Sequence, residues 1–113
     1  SNIASAHMAV AVGTTRHREF MVRMGMGSRL TVELPETALP LIPRPGDWRE
    51  INTMTVGFGH GISVTPLHVV TGVAAIANGG ILRPPTLVAR PPGEAVEGTR
   101  VISERTSDTM RRL

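Results

Sequence analysis

Apolar positions recur along the chain at spacings that predict helices far more often than strands. From Asn2 to Val12, residues Ile3, Ala6 and Val10 fall three and four apart, which is one stripe of a 3.6-residue helix. Asn2 is a good N-cap for it and Gly13 a natural stop. Thr14 or Thr15 can cap a second helix, with Phe20, Met21 and Met24 on its inner side and Gly25 and Gly27 at its end. The pattern then breaks. Pro35, Pro40, Pro43 and Pro45 interrupt residues 28–47, which read as a short strand at Leu30–Leu34 followed by an extended surface loop. Asp47 is placed to cap a short helix from Trp48 to about Thr55, and Gly57-Phe58-Gly59-His60-Gly61 predicts a glycine-rich turn.

The sharpest local pattern is Ser63-Val64-Thr65-Pro66-Leu67. Thr65 is an N-cap, and Pro66 sits at the first helical position, where its missing N–H costs nothing. Over residues 66–77, Leu67, Val70, Ala74 and Ala77 form one stripe, and Val69, Val73 and Ile76 form another. A helix apolar on so many sides is expected to be buried. Asn78-Gly79-Gly80 supplies a left-handed stop. Ile81-Leu82 and Leu87-Val88 read as short extended pieces around Pro84-Pro85, residues 91–99 as a loop, and Arg100-Val101-Ile102 as a strand. Ser103 caps a last helix that runs to the chain end with Met110 and Leu113 inward. The expected fold class is mostly α with short β-strands. The other segments are too few and too short to surround helix 66–77, so the chain reads as cut from a larger domain.

Composition sharpens this picture. Of 113 residues, 41% are hydrophobic but only 3% aromatic, so any core must be built from small aliphatics and Met, which bury less area each than Phe or Trp. At this size such a core is marginal without further packing. All twelve basic residues are arginine. A lysine general base, a lysine Schiff base and a P-loop lysine are therefore excluded within the chain. The absence of cysteine excludes disulfides and thiolate metal sites. No run of 18 apolar residues exists to span a membrane as a helix, so no anchor is expected in this chain. The net charge is +3, with arginines scattered from Arg16 to Arg112. Nucleic-acid binding needs a clustered basic face, so a solvated mixed-charge surface fits better and no nucleic-acid partner is expected.

The candidate chemistry is sparse. The glycines at 57–61 have the wrong spacing for either glycine-rich phosphate-binding fingerprint. His7, His17, His60 and His68 form no HxxxH pair on one helix, so no metal is expected, and His60 is the histidine placed best for a ligand contact. Ser5, Ser28, Ser63, Ser103 and Ser107 include no G-x-S-x-G serine and none followed by lysine three residues on. Glu33 and Glu36 flank Pro35 and read as a solvated turn.

The stretch from Asp47 through Val56-Gly57-Phe58-Gly59-His60-Gly61 to Val64-Thr65-Pro66-Leu67 resembles a segment of class B penicillin-binding proteins, the peptidoglycan D,D-transpeptidases. The resemblance extends through Ala75-Ile76-Ala77-Asn78-Gly79-Gly80 and Arg83-Pro84-Pro85. Upstream it includes Met24-Gly25-Met26-Gly27 and the Leu34-Pro35-Glu36 turn, and downstream Val101-Ile102-Ser103-Glu104. All four segments agree in order and spacing, and the whole looks most like the septal, cell-division branch. Two positions depart from the family. His68 stands where Gln is usual, at N3 of helix 66–77, and the Gly-Glu-x-x-Gly turn is here Pro35-Glu36-Thr37-Ala38-Leu39.

The resemblance implies the helical part of an α/β domain of the penicillin-binding-protein and serine β-lactamase type, with residues 1–113 a partial transpeptidase domain. The family uses Ser-x-x-Lys, Ser-x-Asn and Lys-Ser/Thr-Gly motifs. The resemblance implies that Asn2 is the asparagine of Ser-x-Asn and Ser1 its middle residue, with both lysine motifs outside the chain. It also implies a parent that forms a serine acyl-enzyme on stem peptides and is trapped by β-lactams. That parent would be anchored in the bacterial inner membrane, with this domain in the periplasm, among cell-division proteins. No cofactor is implied. Alone, the chain is expected to be inactive and to expose apolar faces, and either to self-associate or to be one part of a nicked protein whose other part was lost. A noncatalytic binding or scaffold module of the same fold and an arginine-rich nucleic-acid binder stay open as alternatives.

Overall fold

The computed structural model describes residues 1–94 and 96–113. Helices α1 (Asn2–Val12) and α2 (Thr14–Arg23) come first, with Gly13 between them at φ 94°. That left-handed conformation is one glycine adopts without a Cβ penalty, so α2 starts one residue after α1 ends. A 3-10 turn at Pro45–Asp47 precedes α3 (Glu50–Val56). Then come α4 (Pro66–Ala77), strands β1 (Ile81–Leu82) and β2 (Thr99–Arg100), and α5 (Glu104–Met110). The strands pair antiparallel, Ile81 opposite Arg100 and Leu82 opposite Thr99. Among the described residues, five helices and one two-stranded ribbon match the mostly-α expectation.

Two packing centres organise these elements. Met24, Ala75 and Val101 are buried together, with Phe20, Met26, Ile76 and Leu82 packed around them. This small core joins the end of α2 to α4 and the ribbon. In the second centre α1 crosses α3 at Ala9 and Gly57, where a Cβ on Gly57 would stand 2.8 Å from the Ala9 methyl and 3.0 Å from the Ser5 carbonyl. Beside it Trp48 is buried, donates its indole N–H to Thr53 Oγ1 at 2.7 Å, and takes the His17 ring edge-on at 5.8 Å between centroids.

Several expectations change. Ser1, not Asn2, is the cap residue of α1, and Ala9 rather than Ile3 is its buried position. Leu30–Leu34 is not a strand: among the described residues it forms no backbone ladder, its tie to residues 86 and 87 running through the Glu33 side chain, and the isolated bridge in this region joins Leu41 and Ser63. Leu87-Val88 bends instead of extending, since the Leu87 N–H is taken by the Glu33 carboxylate at 2.8 Å. The helix expected from Trp48 begins at Glu50, because Pro45 starts a 3-10 turn and Trp48 and Arg49 are extended. In α5 the inward residue is Ser107, while Met110 and Leu113 are exposed and the helix stops at Met110. Helix α4 buries only the face of His68, Gly72 and Ala75; Val69, Val70 and Val73 are exposed.

Candidate functional site

Asn2 lies in the first turn of α1 and is exposed. Its amide can donate two hydrogen bonds and accept through its carbonyl, the equipment for gripping a peptide group in both directions. It stands at the rim of a groove of about 560 Å³ between α1 and α3, lined also by Ile3, His7, Ile51, Met54 and Phe58. What fixes the direction of α1, and hence of Asn2, is the contact of Ala9 on Gly57. Helix α3 is itself fixed at its start, where Asn52 Oδ1 accepts the Arg49 N–H at 2.8 Å and Trp48 folds back onto Thr53.

The start of α4 is bound equally tightly. Thr65 Oγ1 accepts the His68 N–H at 3.3 Å, and the Thr65 N–H points at His68 Nδ1, also at 3.3 Å. The two residues thus cap each other as a Thr–Gln pair would. On its far side His68 Nε2 meets the Ser28 carbonyl at 2.8 Å. A carbonyl cannot donate, so Nε2 carries the proton and Nδ1 is the acceptor for Thr65. The departure from glutamine therefore keeps the capping box and adds a tie across 40 residues to the Met24–Leu30 segment.

The end of α4 forms a third fixed point. Asn78 brackets Ile81, donating to its carbonyl at 2.8 Å and accepting its N–H at 2.9 Å. Arg100 donates to the carbonyls of Gly79 and Ile102. Ser107, fully buried, donates to the Ile76 carbonyl at 2.5 Å and accepts the Gly79 N–H at 3.0 Å. Gly80 has φ 96°, and a Cβ there would strike the Ile102 carbonyl. The β-ribbon is therefore registered on α4 by polar groups more than by apolar ones.

The other candidates separate. The side chain of His60 is exposed, and its backbone N–H closes the glycine turn on the Thr55 carbonyl at 2.9 Å. His7 lines the Asn2 groove. Ser103 caps α5 through the Thr106 N–H at 3.0 Å, as its position implies. Glu33 is exposed but not merely solvated: it accepts from Thr86 Oγ1 at 2.5 Å and from the Leu87 N–H. The Thr86 hydroxyl above all, then the Leu87 amide, holds its carboxyl below the usual glutamate range. Burial lowers the His17 imidazole below its ordinary value. Neither Glu33 nor Ser107 carries a sequence signal, because their partners lie 53 and 31 residues away. Among the described residues no three His, Asp or Glu side chains are grouped to hold a metal ion, and no helix is long and apolar enough to cross a membrane.

The sequence profile of the "penicillin binding protein transpeptidase domain" matches residues 1–113. The chain is 39% identical over all its 113 residues to the probable peptidoglycan D,D-transpeptidase FtsI of Caulobacter vibrioides, spanning 19% of that protein. Its fold superposes on the transpeptidase domain of Burkholderia pseudomallei penicillin-binding protein 3 with a TM-score of 0.90 and 27% identity, covering 99% of this chain and 34% of that one. For Mycobacterium tuberculosis penicillin-binding protein 3 in complex with aztreonam, the TM-score is 0.86 at 28% identity, covering 98% of this chain and 27% of that one. The chain thus spans about a fifth of the length of the curated relatives it matches.

Proposed function

The chain belongs to the penicillin-binding protein transpeptidase family, and from that membership we propose that it forms one helical wall of the catalytic domain of a peptidoglycan D,D-transpeptidase of the cell-division type. The observation that carries this is the agreement of the sequence profile along residues 1–113 with a fold match over 99% of the chain, in a sequence with no lysine. In the proposed reaction a serine outside these residues attacks the penultimate D-Ala carbonyl of a stem peptide. The terminal D-Ala leaves, taking a proton at its amine, and a second stem peptide's amine displaces the serine to form the cross-link. β-Lactams acylate the same serine.

Within this scheme Asn2 has the catalytic role. Its amide hydrogen-bonds the substrate's peptide group and helps hold the lysine network contributed from outside the chain. The start of α1 carries it, and the Ala9–Gly57 crossing sets its position. The 113 residues are a partial domain and are inactive alone, since a proton shuttle built on an ammonium group cannot be completed without lysine. The intact protein is proposed to be anchored in the inner membrane, with this domain in the periplasm beside cell-division partners. No cofactor takes part.

The test is acylation of the intact protein by fluorescent penicillin. Asn2→Ala is expected to slow acylation roughly 10²-fold, the scale of losing one preorganised hydrogen-bond partner, with thermal stability unchanged. An intact protein that takes no label would instead favour a noncatalytic scaffold of the same fold.

A further inference from the structure

His17 occupies the junction of the three helices that place Asn2. Its Nδ1 is buried and has no hydrogen-bond partner, while its ring packs edge-on against Trp48, 79° out of plane. Both nitrogens of an imidazolium must donate. A proton on Nδ1 would therefore be a buried donor with no acceptor, a costly arrangement. No carboxylate compensates, because the sole ion pair among the described residues is Arg111 with Asp108. From α1 the crevice beside His17 presents Ser5, Met8, Ala9 and Val12, none of which titrates. From α2 itself it presents Arg16, Glu19 and Arg23, two cations to one anion. On the side of Trp48, Asp47 and Arg49 flank the indole in sequence and cancel in charge.

We propose that His17 is a pH-sensitive keystone: it holds α2 onto Trp48 only while neutral, and its protonation releases that contact and loosens the seat of α1. The lowered proton affinity that burial gives the ring points the same way. The folded form then binds the proton later than the open form. By linkage, the contact is at full strength above the ordinary histidine value of about 6.5 and weakens as pH falls toward the lower folded value. The proposal does not depend on the chemistry assigned to Asn2.

The test is hydrogen–deuterium exchange on the intact protein that carries residues 1–113. Exchange is read on peptides covering 14–23 and 48–56, each corrected for the pH dependence of chemical exchange. In the wild type, protection of both peptides is expected to fall by up to about tenfold per pH unit below roughly 6.5. His17→Phe keeps an aromatic edge on Trp48 and cannot titrate, so its protection should stay flat; His7→Gln should behave as wild type. Should His17→Phe not fold, the NMR titration of the His17 ring in the wild type decides the matter, with a midpoint below the ordinary histidine value of about 6.5 expected. Flat wild-type protection, the same fall in His17→Phe, or a His17 midpoint at or above the ordinary histidine value of about 6.5 would overturn the proposal.

Discussion

Single atoms decide most of what holds the chain together. Two glycines make the contrast. At Gly57 an added methyl would meet the Ala9 methyl and a backbone carbonyl, neither of which can swing aside. Gly57→Ala is therefore expected to cost about 1–3 kcal/mol, read as a lowered melting temperature. At Gly72 the obstacle is the Met26 methyl at 2.9 Å, the tip of a flexible side chain. There the helix-propensity gain of about 1 kcal/mol for replacing glycine offsets the adjustment, and Gly72→Ala should be neutral within about 0.5 kcal/mol. Ser107 is the polar counterpart. Ser107→Ala strips the partly buried Gly79 N–H of its acceptor and should cost about 1–3 kcal/mol, with faster amide exchange at Gly79. Glu33 adds a pH signature. Its lowered folded value means the stabilisation from its bonds to Thr86 and Leu87 is full above the ordinary glutamate range and lost as pH falls through the folded value. Denaturant midpoints followed from pH 6 to 3 should therefore fall less steeply in Glu33→Gln than in the wild type.

Among the elements, legibility followed how local the cause was. The bounds of α1 and α4, the caps at Thr65 and Ser103, and the stop at Asn78-Gly79-Gly80 depend on residues within a turn or two, and all are plain in the sequence. The strand expected at Leu30–Leu34 failed because a strand needs a partner, and alternation alone does not supply one. The inward faces of α1 and α5 differ from those the apolar pattern predicts for a similar reason: Ala9 and Ser107 are chosen by the close approach of α3 and of the α4 terminus, not by hydrophobicity. Only the family resemblance marks Asn2; the periodicity around it shows a helix start and nothing more. Helix α4 is the most informative element, since its Val69, Val70 and Val73 face is apolar yet exposed. If other segments of the transpeptidase domain cover that face, Val70→Asp should make the isolated chain more soluble. The same change should destabilise the intact protein by about 2–4 kcal/mol, the cost of an unpaired polar group in an apolar contact.

At the scale of the whole molecule, the dimensions say that this much chain does not close on itself. Its radius of gyration is 15.1 Å, against about 13 Å for a domain of this length. Its accessible surface is 7881 Å², where a self-contained protein of this mass exposes about 6,000 Å². The excess agrees with the span of about a fifth of the curated relatives and with the apolar residues left outside on α1 and α4. Sedimentation of the isolated 113 residues is accordingly expected to show self-association. Whether these residues form a wall of an acyl-transfer site completed by other segments is read out by exposing the isolated chain and the intact protein side by side to fluorescent penicillin. One covalent label per intact molecule and none on the 113 residues alone is the expected result; covalent labelling of the isolated chain would show that the site needs no other segment.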